Sequence, residues 1–474
     1  MKCSNLFFAL LFSLCACSPE SENKDVSVAY AALNKQSVTM FVGEKLLLKA
    51  IITPYDATNQ NVNWKSSDLN VVTVNDDGLV TAKTIGKATI TATTHDGNKT
   101  ATCAVNVTDP TLKMVDKNAT KETKALLINL MTIQSAGTMF GHHDDLMYGR
   151  EWYNVPGRSD TKEVCGDYPA IYSLDFAEIM DDRYYSSDNS IRRRCIIEAF
   201  ERGEVITACI HINNPLTGGD SWDNSNNNVV NEILTDGSAT NIKYKIWLDR
   251  LADFANNLKD YSGTLIPVLF RPYHEHTQEW SWWGSKCTTQ DDFIRFWRFT
   301  IEYLRDTKSV RNFLYAISPQ IDGNGPRDRL LFRWPGNEYV DFLGMDCYHG
   351  TWTQAYQTNL NNMIDVANEK EIPCGVTETG IEGIRTAPDA SGIDILDYWT
   401  VQMLAPLNQL MQNKGRTVSM VIMWRNENKS TGYHFYGPWM KHPSTPDFLK
   451  FYEAPITVFS RDLPDMYQII KVEN

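Results

Sequence analysis

The 474-residue chain is short of the features that announce several common functions. It has no run of lysine or arginine longer than the three arginines at 192–194, and its formal net charge is -13. That argues against nucleic acid or an anionic membrane surface as a partner. Ten cysteines are present but no C-x-x-C, so neither a zinc site nor a dense disulfide framework is indicated. No H-E-x-x-H occurs, and no glycine-rich phosphate loop follows an early strand. The one apolar run near the N-terminus, Leu6 to Leu14, is too short to span a bilayer. Hydrophobic residues make up 42% of the chain, enough to bury large cores, and the length suits two or three domains.

The N-terminus has its own grammar. Lys2 precedes the apolar run, and Leu14-Cys15-Ala16-Cys17 follows it. A basic start, an apolar core and small residues before a cut describe a secretory signal. The Leu-x-Ala-Cys spacing resembles a bacterial lipobox, in which residues 1–16 are removed and Cys17 carries the lipid. The alternative is an ordinary signal peptide with incidental cysteines. The following polar, acidic stretch makes 17–27 a flexible tether. It is similar to the stretches that carry some Gram-negative lipoproteins to the cell surface, which implies a lipid-anchored protein of the outer membrane.

Two textures follow. Residues 28–108 alternate apolar and polar residues in short runs separated by Gly, Asp and Asn turns, the pattern of a small all-β sandwich. Trp64, Gly78, Val80, Ala82 and Gly86 carry a resemblance to the bacterial Ig-like group 2 domain. From 115 to 474 strands and helices alternate instead. Eight candidate strands appear: 138–143, 169–176, 205–212, 265–272, 312–319, 340–348, 372–379 and 418–426. Most are continuous apolar runs, as parallel strands covered on both faces must be. Between them lie amphipathic segments; in 291–306, Phe293, Phe296, Trp297, Ile301 and Leu304 share one stripe. Eight such units predict an α/β (β/α)8 TIM barrel, with a doubly wound open sheet as the alternative.

A barrel should gather its functional groups at the C-terminal ends of its strands. His142, His143, Asp144 and Asp145 close the first candidate strand, and Asp175 and Glu178 follow the second. His211, Asn213 and Asn214 close the third; Arg271, His274, Glu275 and His276 the fourth; Asp346, Tyr348 and His349 the sixth; Glu378 the seventh; Trp424, Arg425 and Asn426 the eighth. Glu275 and Glu378 end strands four and seven, nearly opposite each other across the mouth. Glycosidic cleavage needs two such carboxyls, one to protonate the leaving oxygen and one to attack the anomeric carbon. The competing reading of each glutamate is a structural ion pair with Arg271 or Arg425.

The motifs F-G-H-H-D-D (140–145), H-I-N-N-P (211–215), R-P-Y-H-E-H-T-Q-E-W-S-W-W-G (271–284), G-M-D-C-Y (344–348), V-T-E-T-G (376–380) and W-R-N (424–426) resemble glycoside hydrolase family 26, mostly β-mannanases. The resemblance covers 115–474. It implies Glu275 as acid/base, Glu378 as nucleophile, and His211, His274, Trp280, Tyr348, Trp424 and Arg425 as sugar contacts, to which Asp346 and His143 are added from their strand ends. His142 stands where the family usually has Gln.

The implied activity is retaining, endo-acting hydrolysis of β-1,4-mannosidic bonds in mannan, galactomannan or glucomannan. No metal or cofactor is called for, because two carboxyls carry the chemistry. A same-family β-glucanase or xylanase is the first alternative, and a non-catalytic surface glycan-binding lipoprotein the second. Trp280, Trp282 and Trp283 offer flat faces to sugar rings. Trp280 is expected in the site and at least one of the others in the core.

Overall fold

A computed structural model describes residues 25–387 and 389–469. The lipobox and Cys17 lie outside the described residues. The chain divides into two compact units between Thr108 and Asp109.

The first unit is all β. Strands Ser37–Phe41, Thr100–Thr108, Gly86–Thr94 and Val62–Ser66 form a four-stranded sheet in that order. Lys45–Leu47, Leu79–Ala82 and Val72–Val74 form a three-stranded one. Alternation decides the inward face. In Gly86–Thr94, Ala88, Ile90, Ala92 and Thr94 are buried and the residues between them are not. Ala88, Ile90 and Ala92 merge with Met40, Val72, Val80, Cys103 and Val105 into one core. Trp64 packs against this core half-buried, over Gly78.

The second unit is a closed parallel barrel. Its strands are β1 (Thr138–His143), β2 (Ile171–Asp175), β3 (Val205–Cys209), β4 (Val268–Arg271), β5 (Phe313–Ile317), β6 (Phe342–Cys347), β7 (Cys374–Thr379) and β8 (Met420–Met423). Each pairs in parallel with the next, and β1 pairs with both β8 and β2, which closes the ring and excludes the open sheet. A two-residue strand, Thr457–Val458, adds to the start of β1. Nearly every strand residue is buried, which is why the strands read as apolar runs.

Alternation also sorts the barrel interior. Met139, Ile171, Val205, Leu269, Leu314, Phe342 and Met420 fill its lower layer with Leu126 and Leu130 of helix Lys121–Thr132. Full burial of each large apolar side chain contributes about 1.5–3 kcal/mol. Above them the lumen narrows. A Cβ on Gly344 would come within 2.7 Å of Ser318 Cβ and Thr377 Oγ1, so the backbones approach as only glycine allows. Polar side chains occupy the layer above. The stripe Phe293, Phe296, Trp297, Ile301 and Leu304 is fully buried. Its helix, Gln290–Glu302, closes in a π-helical turn over Tyr303–Thr307. The seven cysteines from Cys103 to Cys374 are unpaired thiols, so no bridge forms among the described residues.

Candidate active site

Glu275 stands just past β4. The chain leaves the strand through two left-handed residues, Tyr273 at φ 50° and Glu275 at φ 53°. Such non-glycine conformations cost roughly 1–3 kcal/mol each and persist only where the surroundings fix them. Here the Glu275 N–H donates to Ser318 O at 2.8 Å, and the Trp280 indole N–H donates to Glu275 Oε2 at 2.6 Å.

Glu378 owes its position to a register shift. In β6 and β7, Met345 pairs with Val376 but Asp346 pairs with Glu378, leaving Thr377 as an extra residue. The bulge overrides alternation. Thr377 Oγ1 reaches Asp346 Oδ1 at 2.7 Å inside the lumen, and the neighbouring Glu378 faces the same way. There Glu378 accepts from Tyr348 Oη at 2.9 Å and from the Arg271 guanidinium, with His274 Nε2 3.8 Å away. Oxygen atoms of Glu275, Asp346 and Glu378 all lie within 4.8 Å of one another. That fits the carboxyl separation of about 5–5.5 Å in retaining glycosidases and not the 6.5–9.5 Å of inverting ones.

Three buried carboxyls this close cannot all ionise. Arg271, 1% exposed, decides where the charge rests: it donates to Asp346 at 2.7 Å and to Glu378, but not to Glu275. Burial, and then the neighbouring carboxyls of Glu378 and Asp346, push the Glu275 carboxyl well above the usual glutamate range, and burial also pushes Asp346 up to about 8. Glu275 therefore holds the proton at neutral pH. Burial also holds the Tyr348 phenol far above its ordinary value, as does the nearby Glu378 charge, so it remains a donor.

A wall of rings lines one side. His211 Nδ1 pairs with Asp175 Oδ2 at 2.6 Å, and its Nε2 lies 3.2 Å from His274 Nε2. Burial, then the neighbouring His211 and Arg271, hold His274 well below the usual histidine range, so it is neutral. Trp280 stacks on His211 at 5.8 Å, and Trp424 stacks on His143 at 4.3 Å. Arg425 donates to Tyr148 Oη at 3.1 Å, which donates to Asp144 at 2.6 Å. Asp160 secures this side by accepting from Asn426, the Arg150 N–H and the Trp152 indole. A cavity of about 640 Å³ opens here, over β1 to β3 and the end of β8, lined by His143, Asp175, His211, Trp424 and Arg425 among others.

The structure thus gathers Glu275, Glu378, His211, His274, Trp280 and Tyr348 around one point, with His143, Trp424 and Arg425 on the adjoining wall. Asp346, expected as a sugar contact, is fully buried below the pair and meets it through Arg271, Ser318 and Thr377. The cation on Glu378 is Arg271, not Arg425. Trp282 and Trp283 are both core, fully buried, with their N–H groups on backbone carbonyls. His276 stacks on Phe293 and His349 on Tyr356, so neither joins the centre. His142 is sealed beside Asp145 and Thr161.

The sequence reading named Arg271 at the end of the fourth strand and as a possible partner of the glutamates, but not its place between Asp346 and Glu378, and it missed Trp222. Trp222, 62% exposed and 4.5 Å from Trp280, was marked only by being a lone aromatic in an Asn- and Ser-rich loop.

Among the described residues, two groups of side chains have metal-ligand spacing: Glu275, Asp346 and Glu378, and Asp175, Cys209 and His211. In the first, Arg271 already supplies the positive charge. In the second, burial and then the Asp175 charge keep the Cys209 thiol protonated, and His211 Nδ1 is taken by Asp175.

Two carboxyls facing each other at this spacing across a barrel mouth, one protonated and one held charged, define a glycoside hydrolase centre. Comparison with known proteins places it more narrowly. Residues 115–390 match the model of glycosyl hydrolase family 26, and residues 27–105 that of the bacterial Ig-like domain (group 2). A mannan endo-1,4-β-mannosidase of Bifidobacterium adolescentis is 28% identical over 357 residues, which are 72% of this chain and 34% of that protein. The mannan endo-1,4-β-mannosidase A and B of Caldalkalibacillus mannanilyticus is 29% identical over 40% of this chain and 37% of its own length. The chain thus spans about a third of these curated relatives. Among solved structures, a family 26 β-mannanase from Bacteroides ovatus is 35% identical over 75% of this chain and 99% of its own, with a TM-score of 0.67. A modular endo-β-1,4-mannanase from Cellulomonas fimi is 29% identical over 75% of this chain and 79% of its own, at 0.66. The chain belongs to glycosyl hydrolase family 26.

Proposed function

We propose that this chain cleaves β-1,4-mannosidic bonds inside mannan, galactomannan or glucomannan chains by retaining double displacement. The observation that carries the mechanism is the charge arrangement: Glu275 and Glu378 with oxygens within 4.8 Å, and Arg271 bonded only to the second. Glu378, ionised, attacks the anomeric carbon. Glu275 gives its proton to the glycosidic oxygen, the C–O bond breaks, and the leaving sugar departs as an alcohol. The glycosyl ester has no charge on Glu378, so the pressure that held the proton on Glu275 falls. Glu275 then takes a proton from water as the water oxygen attacks the anomeric carbon and expels the Glu378 carboxylate. Two inversions give net retention.

His211, His274 and Tyr348 surround the sugar at the pair. Trp280, Trp424, His143 and Arg425 extend that contact, and Trp222 adds a face beyond Trp280. The mannan specificity is supported by the names its relatives carry. The test is release of reducing ends from glucomannan, mixed-linkage glucan and xylan. Activity on glucan or xylan alone would place the chain among other depolymerases of the family. Tight binding with no product would make it a glycan-binding barrel.

We also propose that Cys17 anchors the chain to the bacterial outer membrane, on the strength of the Leu14-Cys15-Ala16-Cys17 motif. Cys17→Ala should move the protein from membrane to soluble fractions with hydrolysis intact. Equal membrane fractionation of parent and variant refutes the anchor.

A further inference from the structure

The cavity of about 640 Å³ opens over β1 to β3. The opposite rim, above β5 and β6, carries a concavity of different chemistry. It is a shallow groove of about 480 Å³, lined by Gly323, Asn324, Thr351, Trp352, Thr353 and Gln354 with Ala355. None of these side chains is charged. Trp352 is 68% exposed, although it is a large indole on a soluble face. Its main chain is fixed: the backbone N–H donates to His349 O at 2.9 Å, and helix Thr353–Lys370 begins at the next residue. Gly323, left-handed at φ 63°, lies against the ring, where a Cβ would come 3.6 Å from the indole. One side of the ring is thereby backed while most of its area stays open. The side-chain amides of Asn324 and Gln354 are exposed and have no hydrogen-bond partner among the described residues.

The groove is joined to the catalytic pair on both sides. Asp322, next to Gly323, accepts the Tyr348 N–H at 2.9 Å, and the Tyr348 hydroxyl holds Glu378. In the same loop, Gln320 exchanges hydrogen bonds of 3.0 and 3.1 Å with Thr277, two residues past Glu275. The acid of a retaining glycosidase faces the leaving group, so a chain lying across the pair leaves over the rim beside Glu275. The loop that meets this rim at Thr277 runs from Gln320 on to Gly323, which backs Trp352.

We propose that this groove is a distal sugar subsite on the leaving-group side. The open face of Trp352 stacks on the C–H face of a hexopyranose ring, and Asn324 and Gln354 bond its hydroxyls. The uncharged lining suits a neutral hydroxylated ligand, and an exposed flat indole suits an apolar ring face. This assignment rests on the reading of the chain as a polysaccharide hydrolase.

The test compares the parent with Trp352→Ala, Trp352→Phe and Gln354→Ala on two kinds of substrate. An aryl β-mannobioside ends at the catalytic pair; mannohexaose and glucomannan run past it. Trp352→Ala should lower kcat/KM on the long substrates by roughly 5- to 10-fold, mostly through KM, as expected for loss of one aromatic contact. It should leave the aryl glycoside unchanged. Trp352→Phe should keep most of the activity, and Gln354→Ala should lose a smaller share in the same direction. Equal loss on both substrate kinds marks a structural role for Trp352 and overturns the subsite, as does no loss on the long ones. Affinity electrophoresis in glucomannan, β-glucan and xylan separates the two readings. If the parent cleaves no polymer yet is retarded by one, and Trp352→Ala is not, the groove stands and the hydrolase reading falls. If parent and variant are retarded alike, the groove falls.

Discussion

Replacing Arg271 by Met tests how the site keeps its nucleophile charged. The guanidinium donates to Asp346 at 2.7 Å, to Ser318 at 2.9 Å and to Glu378, with 1% of its surface exposed. Its loss leaves Asp346 and Glu378, with oxygens within 4.8 Å, facing each other without a cation. Burial pushes the Asp346 carboxyl up to about 8, so at pH 6 to 7 the Arg271 charge acts chiefly on Glu378. At an effective dielectric constant of about 20, two opposite unit charges about 4 Å apart attract by about 4 kcal/mol, and the variant loses that support for the ionised nucleophile. An aryl β-mannobioside with a good leaving group isolates this effect, because its first step does not need the acid. Its kcat/KM should fall by about 10²- to 10³-fold at pH 6 to 7, and the acidic limb of the profile should move to higher pH. Breaking a buried pair also costs about 3–5 kcal/mol of stability, so the measurement belongs well below the variant's Tm. An unmoved acidic limb with a rate within about 5-fold of the parent would show that Arg271 does not set the charge on Glu378.

Two other outcomes follow from the same geometry. Glu275 has a folded pKa raised well above its unfolded value, so the folded state binds the extra proton and stability falls as pH rises from about 4.3 toward the folded pKa. Glu275→Gln should therefore match the parent's Tm near pH 4 and exceed it increasingly through neutral pH; a Tm difference that does not change with pH contradicts the assignment of the proton. Tyr348→Phe removes a hydrogen bond to a charged carboxylate, worth about 1.5–3 kcal/mol, so kcat/KM should drop by about 10- to 100-fold with little change in Tm; activity within 2-fold of the parent on mannobioside would remove Tyr348 from the site.

The barrel was legible because its eight strands are buried on both faces and must be apolar throughout. Glu275 and Glu378 were legible because strand ends concentrate polar residues that packing cannot explain. What could not be read depends on register and on which way a side chain points. The extra residue Thr377, which turns Glu378 into the lumen beside Asp346, leaves no mark in V-T-E-T-G. His274 and His276 flank the same glutamate, and in a strand residues two apart would share a side, yet one faces Glu378 and the other packs on Phe293, because the left-handed Tyr273 and Glu275 turn the chain between them. Trp280, on Glu275, and the core residue Trp283 lie in the same run of turns, where strand alternation does not decide which way a side chain points. Asp346 sits at a strand end as a ligand-binding residue would, but the Gly344 constriction and the Arg271 side chain place it beneath the pair.

The division of labour between Glu275 and Glu378 is tested most directly by azide rescue of Glu275→Ala. With an aryl β-mannobioside bearing a good leaving group, this variant should form the glycosyl-enzyme on Glu378 and then stall, lacking a base for water. Azide needs no deprotonation, so it should restore turnover and yield the β-glycosyl azide, the product of two inversions. An α-glycosyl azide from Glu275→Ala would mean direct displacement and reverse the two roles. Near-parental hydrolysis of polymer by both Glu275→Ala and Glu378→Ala would remove the pair from the chemistry altogether.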